Sequence, residues 1–254
     1  MADHQTPVTL GASLKLYLDV DASVEWAEAL KETARVHPLV ISGHVRLFVL
    51  PSLPALSAVI DVLADSPIAV GAQDLFWEDR GAYTGGVSGA DLARLGCTYV
   101  EVGHVERRRI FNEDDLTIRL KFAAALRNGL TPVLCVGEAE QIDAESAAQL
   151  CIAQLDSAMA NTTGLRDLVV AYEPEWAIGQ AEPAPSAHVV SVIRKLRQHI
   201  DEIGLVDAAV VYGGSAKPGL LSALGNRVDG LFLGRFAHDP AAFASIIDEA
   251  AGLR

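Results

Sequence analysis

Residues 168–180 read Leu-Val-Val-Ala-Tyr-Glu-Pro-Glu-Trp-Ala-Ile-Gly-Gln, and this stretch indicates the fold. Its opening run, Leu168–Tyr172, predicts a short strand buried on both faces, as in a parallel sheet covered by helices. Glu173 follows at once, and Pro174 continues neither a helix nor a strand ladder. A carboxylate at the end of a buried strand, followed by a loop with an apolar body, is typical of a base beneath a closing lid. The stretch alone would equally suit a surface loop with a solvated glutamate.

The composition is that of an ordinary globular protein. The chain has 254 residues, of which 50% are hydrophobic, and a formal net charge of -13. We find no linker or shift in composition and predict one domain over residues 1–254. An acidic chain is a poor candidate for binding nucleic acid or an anionic membrane. Cys97, Cys135 and Cys151 are scattered and odd in number, which predicts reduced thiols. With neither a signal sequence nor a membrane-spanning run, we expect a cytoplasmic protein.

Seven further short, mostly aliphatic strands are predicted, separated by amphipathic helices. The strands are expected within Val8–Leu18, Val45–Leu50, Ile68–Gln73, Tyr99–Val102, Pro132–Val136, Ala209–Tyr212 and Gly230–Leu233. The helices are expected at Val24–Val36 (capped by Ser23), Pro54–Leu63, before Gly96, Asp114–Asn128, Ala144–Met159, Ser186–Ile203 (capped by Ser186) and Pro240–Ala251.

This alternation predicts the α/β class. Eight strand–helix units in a chain of this length favour a single closed (β/α)8 barrel. The alternative is an open doubly wound sheet. That fold normally has a glycine-rich turn after its first strand, and Gly11-Ala12-Ser13 is a weak substitute.

Three chemically capable side chains fall at the ends of predicted strands. Lys15 lies in the first apolar run, His104 follows the fourth strand and Glu173 follows the sixth. The carboxyl ends of barrel strands meet at one face, where the three can act together. They suit proton abstraction beside a carbonyl: the carboxylate takes a carbon-bound proton while the other two stabilise the enediolate. Alternatively, Lys15 snorkels at the rim and His104 is a satisfied core histidine. The charges of residues 106–109, one glutamate and three arginines, are too many for packing alone.

Glycines after three strands predict a site for phosphate. Gly213-Gly214-Ser215 follows the seventh strand, Gly234-Arg235 follows the eighth, and Gly179 lies in the loop after the sixth. Loops after the last two strands of such barrels often bind phosphate through backbone amides. Because glycines also serve in plain turns, each cluster alone is a weak signal.

Motifs along nearly the whole chain resemble those of one protein family. They are Ser13-Leu14-Lys15, Gly71-Ala72-Gln73, Trp77-Glu78, Gly81-Ala82-Tyr83-Thr84-Gly85, Gly103-His104-Val105-Glu106-Arg107-Arg108, Leu134-Cys135-Val136-Gly137-Glu138, Ala171-Tyr172-Glu173-Pro174, Trp176-Ala177-Ile178-Gly179 and Tyr212-Gly213-Gly214-Ser215. In this order, and over nearly the whole length, the chain resembles the triosephosphate isomerase family, whose fold is the TIM barrel.

The resemblance implies a role for each residue of the polar group. Glu173 would be the base that moves a proton between adjacent carbons, and His104 a neutral electrophile at the carbonyl. Lys15 would supply a cation for the developing charge, with Glu106 supporting it.

The resemblance also implies the rest of the site. Amides of Gly179, Ser215 and Gly234 would hold the phosphate, and Pro174–Gln180 would form the lid. The family uses neither a metal nor an organic cofactor. It is usually a homodimer, in which the loop around Thr84 would contact the partner's site.

Three departures from the family bear on the substrate. The family normally has asparagine at Ser13, serine at Val105 and a second glycine at Arg235. Serine leaves room near the reacting carbons, and the arginine adds a cation near the phosphate or the sugar. The combination of Ser13 and Arg235 is similar to that of a branch of this family that isomerises L-erythrulose 1-phosphate to D-erythrulose 4-phosphate in erythritol catabolism. The alternatives are an authentic triosephosphate isomerase of glycolysis and, more remotely, a non-catalytic binding barrel.

Overall fold

The computed structural model describes residues 7–162, 165, 167–180, 182–205 and 207–253. Its eight strands are parallel and form a closed barrel in which each pairs with its sequence neighbours and the last pairs with the first. This closed ring confirms the (β/α)8 TIM barrel and excludes the open sheet. No helix in the described ranges has both the length and the apolar character needed to cross a membrane.

The strands are short, as predicted. They are β1 Val8–Ser13, β2 Val45–Leu50, β3 Ile68–Ala72, β4 Tyr99–Val102, β5 Thr131–Val136, β6 Val169–Tyr172, β7 Ala209–Tyr212 and β8 Gly230–Leu233. The α-helices are α1 Val20–Val36, α2 Pro38–Ile41, α3 Leu56–Leu63, α4 Gly89–Leu95, α5 Val105–Ile110, α6 Asp115–Arg127, α7 Ala144–Met159, α8 Ser186–Glu202, α9 Leu220–Leu224 and α10 Pro240–Glu249. Short 3-10 helices add Leu53–Ala55, Glu175–Ala177, Gly225–Arg227, Arg235–His238 and Ala250–Gly252.

Alternate side chains of each strand point into the barrel or out to the helices. The outward ones join the helices in one large apolar cluster, and the inward ones form a second, smaller cluster. In the interior, Phe48 stacks on Tyr99 and Phe232 at centroid distances of 4.6 and 5.8 Å. Gly11 makes room for it, because a Cβ there would lie 2.1 Å from the Phe48 ring. Gly11 is therefore a packing glycine in mid-strand and does not form a nucleotide-binding turn.

Some predicted boundaries were wrong. β1 ends at Ser13, so Lys15 lies beyond the strand, in a turn with a left-handed φ of 50°. Asp19, not Ser23, caps α1, and the Ser23 hydroxyl donates to the Asp19 carbonyl oxygen inside the helix. Helix α8 begins after Pro185 without a side-chain cap from Ser186.

Candidate active site

Lys15 is held at the mouth of the barrel by the turn that follows β1. Gln73 Nε2 donates to the Lys15 carbonyl oxygen at 3.1 Å and to that of Leu50 at 3.0 Å, which fixes the backbone. The ammonium donates to Glu106 Oε1 at 2.7 Å. Burial opposes the charge, but the hydrogen bond to Glu106 and the nearby carboxylate of Glu173 outweigh it and raise the pKa of Lys15. Lys15 is thus a cation at neutral pH.

His104 lies between β4 and α5 and caps that helix. Its Nδ1 accepts from the Glu106 backbone N–H at 3.1 Å, so a neutral ring carries its proton on Nε2. Burial and the Lys15 charge hold the pKa of His104 well below its ordinary value. Nε2 lies 3.6 Å from Glu173 Oε2. The imidazole is therefore a neutral donor at neutral pH, facing the predicted base.

Glu173 projects from the end of β6 and is 5% exposed. Burial, and next the Glu101 charge, raise the pKa of Glu173 to about 8. Its Oε2 has no hydrogen-bond partner within the described residues. A Cβ at Gly213 would lie 2.7 Å from Glu173 Cγ, and one at Gly137 2.0 Å from the Glu173 carbonyl oxygen. The loop after β7 thus brings bare backbone against the Glu173 side chain, and the loop after β5 brings bare backbone against its main chain.

Glu101 is a site residue that the sequence analysis missed. It lies on β4, points into the barrel and is 3% exposed. Ser13 Oγ donates to its Oε2 at 3.2 Å, and Cys135 Sγ lies 3.8 Å from its Oε1. Burial raises the pKa of Glu101 to about 7, although Lys15 opposes the shift. The available signal was a carboxylate inside a four-residue strand whose other members are apolar or aromatic.

The predicted residues come together around one cavity of about 250 Å³. Its walls include Ser13, Lys15, His104, Glu106, Glu173, Gly179, Ser215, Gly234 and Arg235. The structure thus unites every predicted site residue, although their roles remain proposals. Arg235 is exposed at the rim.

Residues 174–180 lie over this cavity and are joined to the loop after β7. Ser215 Oγ donates to the Ala177 carbonyl oxygen at 2.7 Å. Beyond the segment, the Ala184 N–H donates to the Tyr212 hydroxyl at 3.1 Å. Trp176 Nε1 donates to the buried carboxylate of Glu138 at 2.8 Å. The Ser215 bond connects the predicted lid to the predicted phosphate loop, and the Trp176 bond connects it to the loop after β5.

All three arginines of residues 107–109 have acidic partners, and that of Arg109 is Glu175 of the predicted lid, at 3.4 Å. Arg107 Nη2 lies 3.0 Å from Asp74 Oδ2 and 2.7 Å from Glu113 Oε1. Lys121 Nζ contacts the same two acids at 2.6 and 2.5 Å. We call Asp74, Arg107, Glu113 and Lys121 the support cluster. Arg108 similarly donates to the Gly103 carbonyl oxygen and to Asp115. The expectation that these charges exceed the needs of packing was wrong for Arg107 and Arg108.

Comparison with known proteins identifies close relatives. Residues 8–250 match the family model described as triosephosphate isomerase. The L-erythrulose-1-phosphate isomerase of Pectobacterium atrosepticum is 53% identical over 249 residues, covering 96% of this chain and 95% of that protein. The triosephosphate isomerase of Moorella thermoacetica is 41% identical over 229 residues, covering 87% and 92%. That of a Synechococcus strain is 38% identical over 245 residues, covering 95% and 96%.

Proposed function

This chain belongs to the triosephosphate isomerase family, and we propose that it interconverts L-erythrulose 1-phosphate and D-erythrulose 4-phosphate. The family and its relatives identify it as an isomerase of sugar phosphates. The observation that supports the chemistry is a buried carboxylate with an unpartnered oxygen, facing a neutral histidine at 3.6 Å. The relative from Pectobacterium, similar along almost the whole chain, supports the four-carbon substrate.

The proposed reaction transfers one proton between neighbouring carbons. Glu173 removes the proton from C3 of L-erythrulose 1-phosphate as the C2 carbonyl oxygen gains charge. His104 donates its Nε2 proton to that oxygen, giving a 2,3-enediol. It then recovers a proton from the C3 hydroxyl, which moves the negative charge to the C3 oxygen. Lys15 stabilises the negative oxygen. Glu173 then returns its proton to C2, leaving the carbonyl at C3, so atoms and electrons balance without a redox partner.

The opposite wall of the cavity suits the phosphate. We propose that backbone amides of Gly179, Ser215 and Gly234 donate to its oxygens, as amides of glycine loops do in other barrels. Arg235 at the rim would add a permanent charge. Residues 174–180 would close over the substrate and exclude water from the enediolate.

The test is kcat/KM measured on L-erythrulose 1-phosphate and on glyceraldehyde 3-phosphate with one preparation. The proposal predicts a preference for the four-carbon sugar of about tenfold or more. Fast turnover of the three-carbon sugar alone would identify an authentic triosephosphate isomerase. No turnover of either, with intact fold, would identify a binding barrel.

We also propose a homodimer. Beside the active site lies a second cavity of about 670 Å³, whose lining includes the exposed apolar side chains Leu16, Leu53 and Phe111. Such a surface suits burial against a second copy. Thr84 is exposed on the loop before α4, where it can reach a partner. Light scattering should give twice the chain mass of 26.9 kDa, and a monomer at micromolar concentration would contradict the proposal.

A further inference from the structure

The two cavities share one part of their walls. Gly179, Ser215 and Gly234 line only the smaller cavity, whereas Glu101 lines only the larger. Ser13 and Lys15 line both, together with Tyr17, His104 and Glu106. A substrate whose phosphate lies at the three loops can therefore extend its far end toward Ser13, one of the residues where the smaller cavity meets the larger.

At that junction lie two polar side chains that the proposed proton transfer does not use. Ser13 Oγ and Glu101 Oε2 form a buried hydrogen bond of 3.2 Å between β1 and β4. Glu101 Oε1 lies 4.0 Å from His104 Nε2, so the pair adjoins the reacting group. A buried carboxylate is costly unless it is paired or bound to something. Lys15, whose charge acts on Glu101, donates a hydrogen bond to Glu106 instead.

We propose that Ser13 and Glu101 form a subsite for the terminal hydroxymethyl group of a four-carbon ketose phosphate. This inference rests on the proposed function, and it assigns the choice of sugar to these two residues. L-Erythrulose 1-phosphate differs from its three-carbon counterpart by one CH2OH group at the end away from the phosphate. The short Ser13 side chain leaves space for the carbon, and Glu101 supplies a hydrogen-bond partner for the hydroxyl.

The chemistry of the pair suits a hydroxyl group. A carboxylate accepts a hydrogen bond, and a protonated carboxyl can also donate one. Because burial raises the pKa of Glu101 to about 7, both forms are accessible at neutral pH. A substrate that lacks the hydroxyl would leave the buried pair without this additional partner, the situation in which enzymes discriminate most strongly.

The experiment compares Glu101→Val with the parent enzyme on both sugars. We expect the ratio of kcat/KM for L-erythrulose 1-phosphate to that for glyceraldehyde 3-phosphate to fall at least about tenfold. Ser13→Asn, which fills the space, should lower the same ratio without removing a buried charge. The inhibition constant of phosphoglycolate, an enediolate mimic without a hydroxymethyl group, should change less than kcat/KM for the four-carbon sugar.

Thr9→Val is the matched control. Thr9 is another buried hydroxyl residue on the inward face of β1, and it lines neither cavity. It should leave the ratio unchanged. Equal losses on both sugars in the Glu101 and Ser13 variants would overturn the subsite while leaving the proposed function intact. A parent enzyme inactive on the four-carbon sugar would overturn the proposed function and the subsite with it.

Discussion

Two groups of charged side chains both include members of residues 104–113, and they differ in how the charges are balanced. In the support cluster, two carboxylates face two cationic side chains, and four nitrogen–oxygen contacts lie between 2.5 and 3.0 Å. In the other group, which we call the pocket cluster, Glu101, Glu106 and Glu173 surround Lys15 and a neutral His104.

This difference distinguishes charged side chains that stabilise the fold from charged side chains that can take part in chemistry. In the pocket cluster, burial raises the pKa values of Glu101 and Glu173 to about 7 and 8. Burial also raises the pKa of Asp74 in the support cluster, but Lys121 and Arg107 oppose it. Balanced charge connects the elements, whereas unbalanced charge is available for a substrate.

The largest test of this comparison is Glu173→Gln. We expect kcat to fall by about 10²–10⁴-fold, because general-base catalysis contributes on this scale. Steady-state assays on the preferred sugar measure it, with circular dichroism as the control for folding. Unchanged kcat would contradict the assignment of the base.

The raised pKa of Glu173 also predicts how Glu173→Gln changes thermal stability. A folded pKa of about 8 against an ordinary 4.5 means that the folded chain binds the proton more tightly. Parent stability therefore declines as pH rises from about 4.5 to about 8. Glu173→Gln should thus raise Tm at pH 8 or above, with no gain below pH 4.5. Calorimetry at both pH values decides it.

Lys121→Met should give the opposite pattern. It leaves Asp74 and Glu113 without one of their shared cations, and breaking a buried ion pair costs about 3–5 kcal/mol. We expect a large loss in the free energy of unfolding, while kcat/KM per folded molecule stays within about threefold. Urea titration and active-site-normalised assays measure the two effects. A large loss of kcat/KM without loss of stability would show that the two clusters are not separate.

Trp176→Phe tests another buried carboxylate, Glu138, which contacts the lid. Glu138 Oε1 accepts from Trp176 Nε1 at 2.8 Å and from the Tyr172 hydroxyl at 3.0 Å. Removing a hydrogen bond to a charged group costs about 1.5–3 kcal/mol when it is fully formed. We expect kcat to change about tenfold and Tm to fall by a few degrees. A change in Tm alone would mean that the bond is not part of lid movement.

The smallest predicted effect is a shift in the pH profile. Because Glu173 must be ionised, kcat/KM should fall as pH drops below about 8. The Glu101 charge contributes to that raised pKa, so Glu101→Gln should move the acid limb to lower pH. Measuring both enzymes on one substrate cancels the titration of the substrate's phosphate. An unmoved limb would contradict electrostatic coupling between the two carboxylates.

The sequence predicted the strands well because each is a short buried run between polar turns. The observed bounds agree with the predicted ones for Val45–Leu50, Tyr99–Val102 and the last two strands. The cap of α1 was wrong because Asp19 and Ser23 both suit an N-cap, and the choice depends on where the preceding turn ends. The short helices α2, α5 and α9 span six residues or fewer and have too little periodicity to detect.

The site residues that could be predicted are those that follow the end of a strand, because that position shows where they lie in the barrel. Lys15, His104 and Glu173 follow strands, and a barrel brings strand ends together. Glu101 was missed because it lies within a strand, and its contacts with Ser13 on β1 and Cys135 on the adjacent β5 show that its side chain faces the site. Likewise, Arg107 has one partner, Asp74, in the loop after β3, and the other, Glu113, between α5 and α6, and no local sequence pattern indicates the first contact.

The pairing of β8 with β1 has a consequence for how the protein is made. Gly230, whose missing Cβ would lie 1.8 Å from the Thr9 carbonyl oxygen, brings the last strand against the first. On the ribosome, the strand that leads to Lys15 emerges first of the eight, and its partner in the ring, β8, emerges last. The ring therefore cannot close until all eight strands have been synthesised. A nascent chain cannot gain stability from its substrate before that point, since a ligand stabilises only the form that binds it.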